Sequence, residues 1–282
     1  CRRTAENRNG QDPALQAAPV ALISVTISYL TAGAAKLEYV WHGPGPDQGP
    51  TLVVLHEGLG CVTMWRDFPE RLAAATGCGV VVYSRQGYGK SDPCTLPRPV
   101  RFMHDEALDV LPLVLQALGI GDHILLGHSD GASISLIHAG ATNNPALKGV
   151  IVEAPHVFVE DISVSSIATI KEIYETTDLP EKLARHHGDN LECAFRGWND
   201  VWLEAAFVNW NIEEYLPKIG VPLQVIQGED DEYGTVEQVH AIARQAGARV
   251  EVNLLADCGH SPHRDQRDKT LAAMTRFVAE VR

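Results

Sequence analysis

The most regular feature of the sequence is an alternation of short apolar runs with longer segments of helical spacing. The apolar runs are bounded by Gly and polar residues and cover residues 51–56, 79–84, 122–126, 147–153, 222–228 and 249–255. Short continuous apolar runs of this kind predict strands that are buried on both faces of a parallel sheet. Segments of helical spacing lie between them, at residues 65–76, 102–118, 132–139, 235–245 and 264–281. The alternation therefore predicts a mostly parallel, doubly wound α/β sheet.

Two regions depart from this alternation. Near the beginning, residues 21–30 and 35–42 are two β-rich runs with a short connection, which predicts a hairpin, and residues 1–19 are polar and predict a flexible arm. Between residues 155 and 220 the apolar strand runs stop, and helical pieces are predicted at 167–175, 180–187, 198–210 and 212–219. The pattern thus divides the chain into an α/β core, residues 20–154 and 221–282, and a helical insert.

The helical insert is rich in aromatic side chains, including Trp198, Trp202 and Trp210. These rings must form part of a small core of their own. They are also predicted to line a pocket beneath a lid, because ligand sites are mostly apolar and often lie between domains. The three tryptophans are therefore candidate substrate contacts.

Composition and charge narrow the function classes. The chain has 282 residues and a formal net charge of −13, which argues against nucleic acid and anionic membrane surfaces as partners. No apolar run reaches the length of a membrane helix. The six Cys are scattered without a paired motif, which favours reduced thiols and a cytoplasmic location. We expect a small-molecule substrate, and the sequence does not indicate an oligomeric state.

The motif G-x-S-x-G occurs at residues 127–131, between a predicted strand and a predicted helix. This context predicts a sharp turn that exposes the Ser129 hydroxyl at the edge of the sheet. The flanking glycines allow a strained backbone and a close approach of strand and helix. Ser129 is therefore the candidate nucleophile.

A serine hydroxyl needs a base beside it, and the base needs a carboxylate to orient it. Such groups are expected on loops that follow strands. His260 follows the last predicted strand, and Asp231 follows the strand before it. Asp230 and Glu229 are alternatives for the acid. His263 competes with His260 for the base and is otherwise predicted to bind a neighbour or line the pocket.

Two backbone N–H groups are expected to form an oxyanion hole. One belongs to Asp130, directly after Ser129, and the other to Gly58, in the loop 56–60 that follows the first predicted parallel strand. Glu57 precedes Gly58, and its carboxylate could disfavour an oxyanion nearby or bind a neighbouring group. It is therefore a candidate pocket residue that marks a particular substrate.

Together these motifs resemble the α/β-hydrolase family. The resemblance rests on the loop 56–60, the loop 85–91 (Arg-Gln-Gly-Tyr-Gly-Lys-Ser), the 127–131 turn and the Asp231 and His260 loops. It implies an eight-stranded sheet, a triad in the order Ser129, Asp231, His260, and a helical cap after the sixth strand, where residues 155–220 fall. The sequence departs from the family at Glu57, where Gly usually follows the histidine.

A serine at the nucleophile position argues against the epoxide and halide chemistry that the family performs with aspartate. The sequence predicts a serine hydrolase that cleaves a carboxylic ester or lactone of a small, largely apolar molecule. It needs no metal or organic cofactor, and no P-loop or dinucleotide motif is present. A carbon–carbon bond hydrolase of ring-cleavage diketones is an alternative. A non-catalytic ligand-binding protein with the same fold is another.

Overall fold

The computed structural model describes residues 26–282, and the predicted arm 1–19 lies outside them. Within these residues eight strands form one sheet. They are β1 Ser28–Ala32, β2 Ala35–His42, β3 Thr51–Leu55, β4 Gly79–Tyr83, β5 His123–His128, β6 Leu147–Glu153, β7 Leu223–Gly228 and β8 Val250–Leu255. The eight-stranded sheet confirms the fold class.

The strand order across the sheet is β1-β2-β4-β3-β5-β6-β7-β8. Strand β2 runs antiparallel to both β1 and β4, and every other pairing is parallel. The carboxyl ends of β3, β5, β7 and β8 therefore lie at one edge. The predicted loops leave the sheet at that edge.

Helices cover both faces of the sheet. The α-helices, of which α5 to α7 belong to the insert between β6 and β7, are α1 Phe68–Thr76, α2 Phe102–Asp105, α3 Leu111–Ala117, α4 Asp130–Ala141, α5 Asp161–Thr176, α6 Leu179–His187, α7 Leu191–Trp202, α8 Val236–Gln245, α9 Pro262–Asp265 and α10 Arg267–Val281. Neighbouring residues along β3 alternate between two apolar cores, with Val53 in one and Val54 in the other. This two-sided burial explains why the central strands are continuously apolar.

The helical insert differs in detail from its prediction. The predicted helix 198–210 is wrong, because α7 ends at Trp202 and a 3₁₀ helix, Ala205–Asn209, follows. Phe207 and Trp210 stack with ring centroids 5.4 Å apart. A 3₁₀ turn also returns side chains to one face every three residues, so apolar spacing alone does not separate it from an α-helix.

The predicted helix 102–118 is also more complex. A π-helical turn, Glu106–Val110, joins α2 to α3. The predicted closing helix is divided into α9 and α10 at Gln266, whose backbone leaves the helical region. In residues 26–282 no helix combines the length and apolarity that crossing a bilayer would require.

Candidate active site

Ser129 lies in the turn between β5 and α4, with φ of 54° and ψ of −117°. The left-handed φ is strained for a residue with a side chain. A Cβ on Gly127 would collide with the backbone of Gly131, and a Cβ on Gly131 would collide with the backbone of Leu55. Both glycines are therefore required by close backbone approach, as the motif predicts.

The structure brings the side chains of Ser129, His260 and Asp231 into a line. The Ser129 hydroxyl lies 2.9 Å from Nε2 of His260. Nδ1 of His260 lies 2.8 Å from Oδ1 of Asp231 and 3.0 Å from Oδ2. Since a carboxylate only accepts hydrogen bonds, Nδ1 carries the proton and Nε2 is left to accept the serine proton. This arrangement is suited to activating the hydroxyl.

The Asp231 carboxylate is buried, and both of its oxygens accept hydrogen bonds. It accepts hydrogen bonds from Nε2 of Gln227 at 2.7 Å and from the backbone N–H of Tyr233 at 2.8 Å. Burial alone would raise the pKa of Asp231, but the hydrogen bond from His260 and the Tyr233 N–H outweigh it and lower that pKa. The neighbouring candidates Asp230 and Glu229 are exposed. The acid is therefore ionised and held toward His260.

The loop after β3 is fixed by a buried arginine. Nη1 of Arg85 donates to the carbonyl of His56 at 2.5 Å, and Nη2 donates to the carbonyl of Glu57 at 3.1 Å. The Gly58 N–H makes no backbone hydrogen bond among residues 26–282. The Asp130 N–H is in the first turn of α4, where no intrahelical acceptor exists. Both predicted oxyanion donors are therefore available.

A cavity of about 230 Å³ opens over Ser129. Its lining includes predicted residues from the core, Glu57, Gly58, Ser129 and His260, and from the insert, Trp198 and Trp202. The helical segment between β6 and β7 thus supplies one wall of the cavity.

The structure corrects two predicted substrate contacts. Trp210 is 6% exposed and packs on Phe207 instead of lining the cavity. His263 is 3% exposed and likewise absent from the lining, since its Nδ1 lies 2.8 Å from Glu153 and its ring stacks on Trp65. Both side chains are buried by tertiary packing, and His263 follows the other half of its prediction, since it binds a neighbouring residue, Glu153.

Comparison with known protein families agrees with the observed fold. Residues 52–273 match the alpha/beta hydrolase family. The chain belongs to this family.

Individual relatives of this α/β hydrolase are distant. A zebrafish (Danio rerio) protein, sn-1-specific diacylglycerol lipase ABHD11, is 29% identical over 161 residues, which are 56% of this chain and 49% of that one. The chain thus matches about half the length of that relative. A putative lipase from Acinetobacter baumannii has a TM-score of 0.71 at 17% identity, covering 91% of this chain and 92% of its own.

An esterase from Rhodococcus, RhEst1, has a TM-score of 0.67 at 17% identity, with 91% of this chain and 99% of its own covered. At such identities the solved structures share the fold with this chain. The family match is what supports a hydrolase of the α/β type.

Sequence reasoning missed several contributors to the site of this α/β hydrolase, among them His156, Tyr233 and Arg85. His156, after β6, lines the cavity, and burial lowers its pKa to about 3, so the ring is neutral. Tyr233 packs its ring 4.7 Å from that of His260. In the sequence Arg85 stands out only as part of the loop 85–91. His156 and Tyr233 lie in loops after strands, which is the signal that could have found them.

The side chain of Asp130 has a role besides its backbone N–H. It is buried, and its Oδ1 accepts a hydrogen bond from Nε1 of Trp202 at 3.1 Å. Burial raises the pKa of Asp130, although Arg85 opposes the shift. This contact joins the nucleophile turn to α7.

In the part of the chain that is described, no three His, Cys, Asp or Glu side chains converge as metal ligands would.

Proposed function

We propose that this α/β hydrolase cleaves carboxylic esters or lactones of small, largely apolar molecules through an acyl-enzyme. The observation that carries the proposal is the continuous line from the Ser129 hydroxyl through His260 to the buried Asp231, which opens on the cavity. Nucleophile, base and orienting acid at hydrogen-bond distance are the geometric requirement for acyl transfer.

In the proposed mechanism the Ser129 oxygen attacks the substrate carbonyl while Nε2 of His260 removes its proton. Asp231 stabilises the imidazolium that forms. The N–H groups of Gly58 and Asp130 donate to the oxyanion of the tetrahedral intermediate. His260 then protonates the leaving alcohol, which departs and leaves an acyl-serine. A water molecule, deprotonated by His260, releases the acid and restores Ser129.

The cavity supports a small substrate. At about 230 Å³ it is below the range of roughly 300–1,000 Å³ typical of sites for drug-sized ligands. Trp198, Trp202 and Ile167 contribute apolar walls. The diacylglycerol lipase and the esterase named above act, by their names, on esters, which favours ester chemistry here. We also propose that residues 155–220 act as a cap over the site and that the protein is cytoplasmic.

The substrate class is tested with a panel of small esters, lactones and ring-cleavage diketones, each assayed with the wild type and Ser129→Ala. We expect turnover of esters or lactones that requires Ser129. Exclusive turnover of diketones would replace the proposal with carbon–carbon bond hydrolysis. Tight binding of panel members without any turnover would replace it with a ligand-binding role.

Trp198 is expected to limit the size of the acyl group. Its indole packs directly against Gly58, so that a Cβ at that position would collide with the ring. Trp198→Ala removes this wall and is expected to raise kcat/KM for p-nitrophenyl octanoate relative to the butyrate by at least about 10-fold, since room for a single further methylene in an apolar pocket is already worth roughly 1–3 kcal/mol. Steady-state kinetics measure the ratio. The control Val208→Ala changes an exposed side chain, and an unchanged ratio in Trp198→Ala would contradict the assignment.

The charge of the cavity predicts discrimination against anionic substrates. Glu232, an exposed side chain, contributes a carboxylate to the lining, which contains no Lys or Arg. We expect kcat/KM for 4-acetoxybenzoate to be at least about 10-fold below that for phenyl acetate, because like charges about 4 Å apart near a protein surface repel by more than about 1.4 kcal/mol. Glu232→Gln is expected to narrow the difference. Equal rates in the wild type, corrected for spontaneous hydrolysis, would contradict this expectation.

A further inference from the structure

Two features of the site have no role in the mechanism above. One is Glu57, a carboxylate in the loop expected to stabilise an oxyanion. The other is His128, the residue before Ser129, whose side chain is only 2% exposed. The structure places these two groups against each other. Nδ1 of His128 lies 3.5 Å from Oε2 of Glu57.

The opposite edge of the same ring contacts the base loop. Nε2 of His128 lies 2.7 Å from the carbonyl oxygen of His260. A carbonyl only accepts hydrogen bonds, so this nitrogen carries a proton. The other nitrogen makes no hydrogen bond among residues 26–282, but the group that it faces at 3.5 Å is the carboxylate of Glu57, which also only accepts. Because both ring nitrogens face acceptors, the contacts of this imidazole are most favourable when both nitrogens are protonated and the ring is positively charged.

The surroundings of His128 are consistent with that charge. Facing it are the carboxylates of Glu57 and of Glu153 and the imidazoles of His260 and His263, with ring centroids 5.2 Å and 5.1 Å away for the two histidines. His156 contributes a more distant imidazole.

The pKa directions of the two partners agree with an ion pair. Burial lowers the pKa of His128, but Glu57 and Glu153 outweigh it and raise that pKa above its ordinary value. Burial raises the pKa of Glu57, but His128 and His56 outweigh it and hold that pKa well below its ordinary value. Arg264 also approaches Glu57, at 3.9 Å.

We propose that the His128 imidazolium, paired with Glu57, is a positioning element that holds the oxyanion loop, the nucleophile turn and the His260 loop in register. One side chain links all three: it is adjacent to Ser129 in the chain, donates to the His260 carbonyl and pairs with the residue before Gly58. The proposal rests on the proposed function for its effect on rate. The pair also cancels the charge of Glu57, which would otherwise oppose an oxyanion beside Gly58.

Three variants test the positioning role: His128→Gln, Glu57→Gln and the double variant. In His128→Gln the amide N–H can replace the donor to His260, but Glu57 loses the imidazolium and keeps only the Arg264 contact at 3.9 Å. We expect kcat to fall about 100-fold with KM changed less than about threefold. In Glu57→Gln we expect a loss of about 10-fold. In the double variant both charges are gone, and kcat is expected to recover at least about fivefold over His128→Gln.

A purely structural role predicts the opposite order, with the double variant no better than His128→Gln. That result would overturn the proposal. Thermal unfolding of each variant separates folding defects from rate effects. A matched control is His240→Gln with Glu237→Gln, an exposed His–Glu pair on α8 at 3.1 Å, where kcat is expected to stay unchanged.

Side-chain ¹⁵N NMR of the histidines tests the same positioning role without an activity assay. In the wild type at pH 7, His128 is expected to carry two N–H protons, and in Glu57→Gln only one. The His260 resonances are expected to move in His128→Gln and to return toward the wild type in the double variant. A singly protonated His128 in the wild type would overturn the proposal. Absent ester turnover with these NMR shifts intact would count against the proposed function alone.

Discussion

Ser129→Ala is expected to lower kcat/KM for ester substrates by about 10⁴- to 10⁶-fold, the range seen when a serine nucleophile is removed. The Ser129 hydroxyl lies 2.9 Å from Nε2 of His260 and opens on the cavity. Without this oxygen no acyl-enzyme can form, and the remaining site can only bind and polarise the substrate. Steady-state kinetics with a spectrophotometric ester measure the loss.

The structure predicts that the Ser129→Ala protein stays folded. The left-handed backbone at residue 129 is kept by the close approach of Gly127 and Gly131, and alanine removes one oxygen only. Its thermal unfolding midpoint is expected to stay within a few degrees of the wild type. A matched control is Ser165→Ala on the exposed face of α5, with unchanged activity expected. Ester turnover in Ser129→Ala near the wild-type rate would contradict the proposed mechanism.

Asp231→Asn is expected to have the second largest effect, a loss of about 10³- to 10⁴-fold in kcat/KM at neutral pH. The Asp231 carboxylate accepts the Nδ1 proton of His260 at 2.8 Å. An asparagine amide can instead donate a hydrogen bond to Nδ1 of His260. The imidazole proton then lies on Nε2, and a protonated Nε2 cannot accept the proton of the Ser129 hydroxyl. The activity is therefore lost because His260 adopts the wrong tautomer and not because the packing changes.

The pH dependence of stability gives Asp231→Asn a further signature. The pKa of Asp231 is lower in the folded protein than its ordinary value. Its contribution to the free energy of unfolding is thus present above that ordinary value and is lost as pH falls through the folded pKa. The variant should show a smaller loss of stability on acidification than the wild type, measured by urea unfolding. Asp230→Asn, at an exposed neighbour, is the control, and equal activity losses in the two variants would contradict the assignment of the acid.

The placement of the site residues at one edge of the sheet could be predicted from the sequence because it follows from sheet geometry. Ser129, Asp231 and His260 each follow a run that reads as a buried strand, and the carboxyl ends of parallel strands meet at one edge. The requirement for Gly127 and Gly131 is likewise local, since neighbouring backbone segments approach them. These predictions need no knowledge of how the helices pack.

The walls and supports of the site could not be predicted, because they depend on contacts between residues far apart in the chain. Trp198 and Trp210 look alike in the sequence, yet one lines the cavity and the other packs on Phe207. His263 lies close to His260 in the chain but pairs with Glu153 on β6.

The sequence likewise does not indicate which residue lies beside Glu57. Its carboxylate departs from the family pattern, and nothing in the local sequence indicates what neutralises it. The structure places His128 from β5 beside it. The sequence also does not predict where α7 ends, because the 3₁₀ turn after it keeps the apolar spacing of a helix.

The most direct measurement of the central claim is the site of covalent labelling by a fluorophosphonate, located by peptide mass spectrometry. Such reagents trap a serine that a neighbouring base has activated, so the experiment reads the nucleophile without depending on the natural substrate. We predict one adduct, on the peptide that contains Ser129, and its absence in Ser129→Ala. An adduct on another residue, or none in a preparation that hydrolyses esters, would contradict the account.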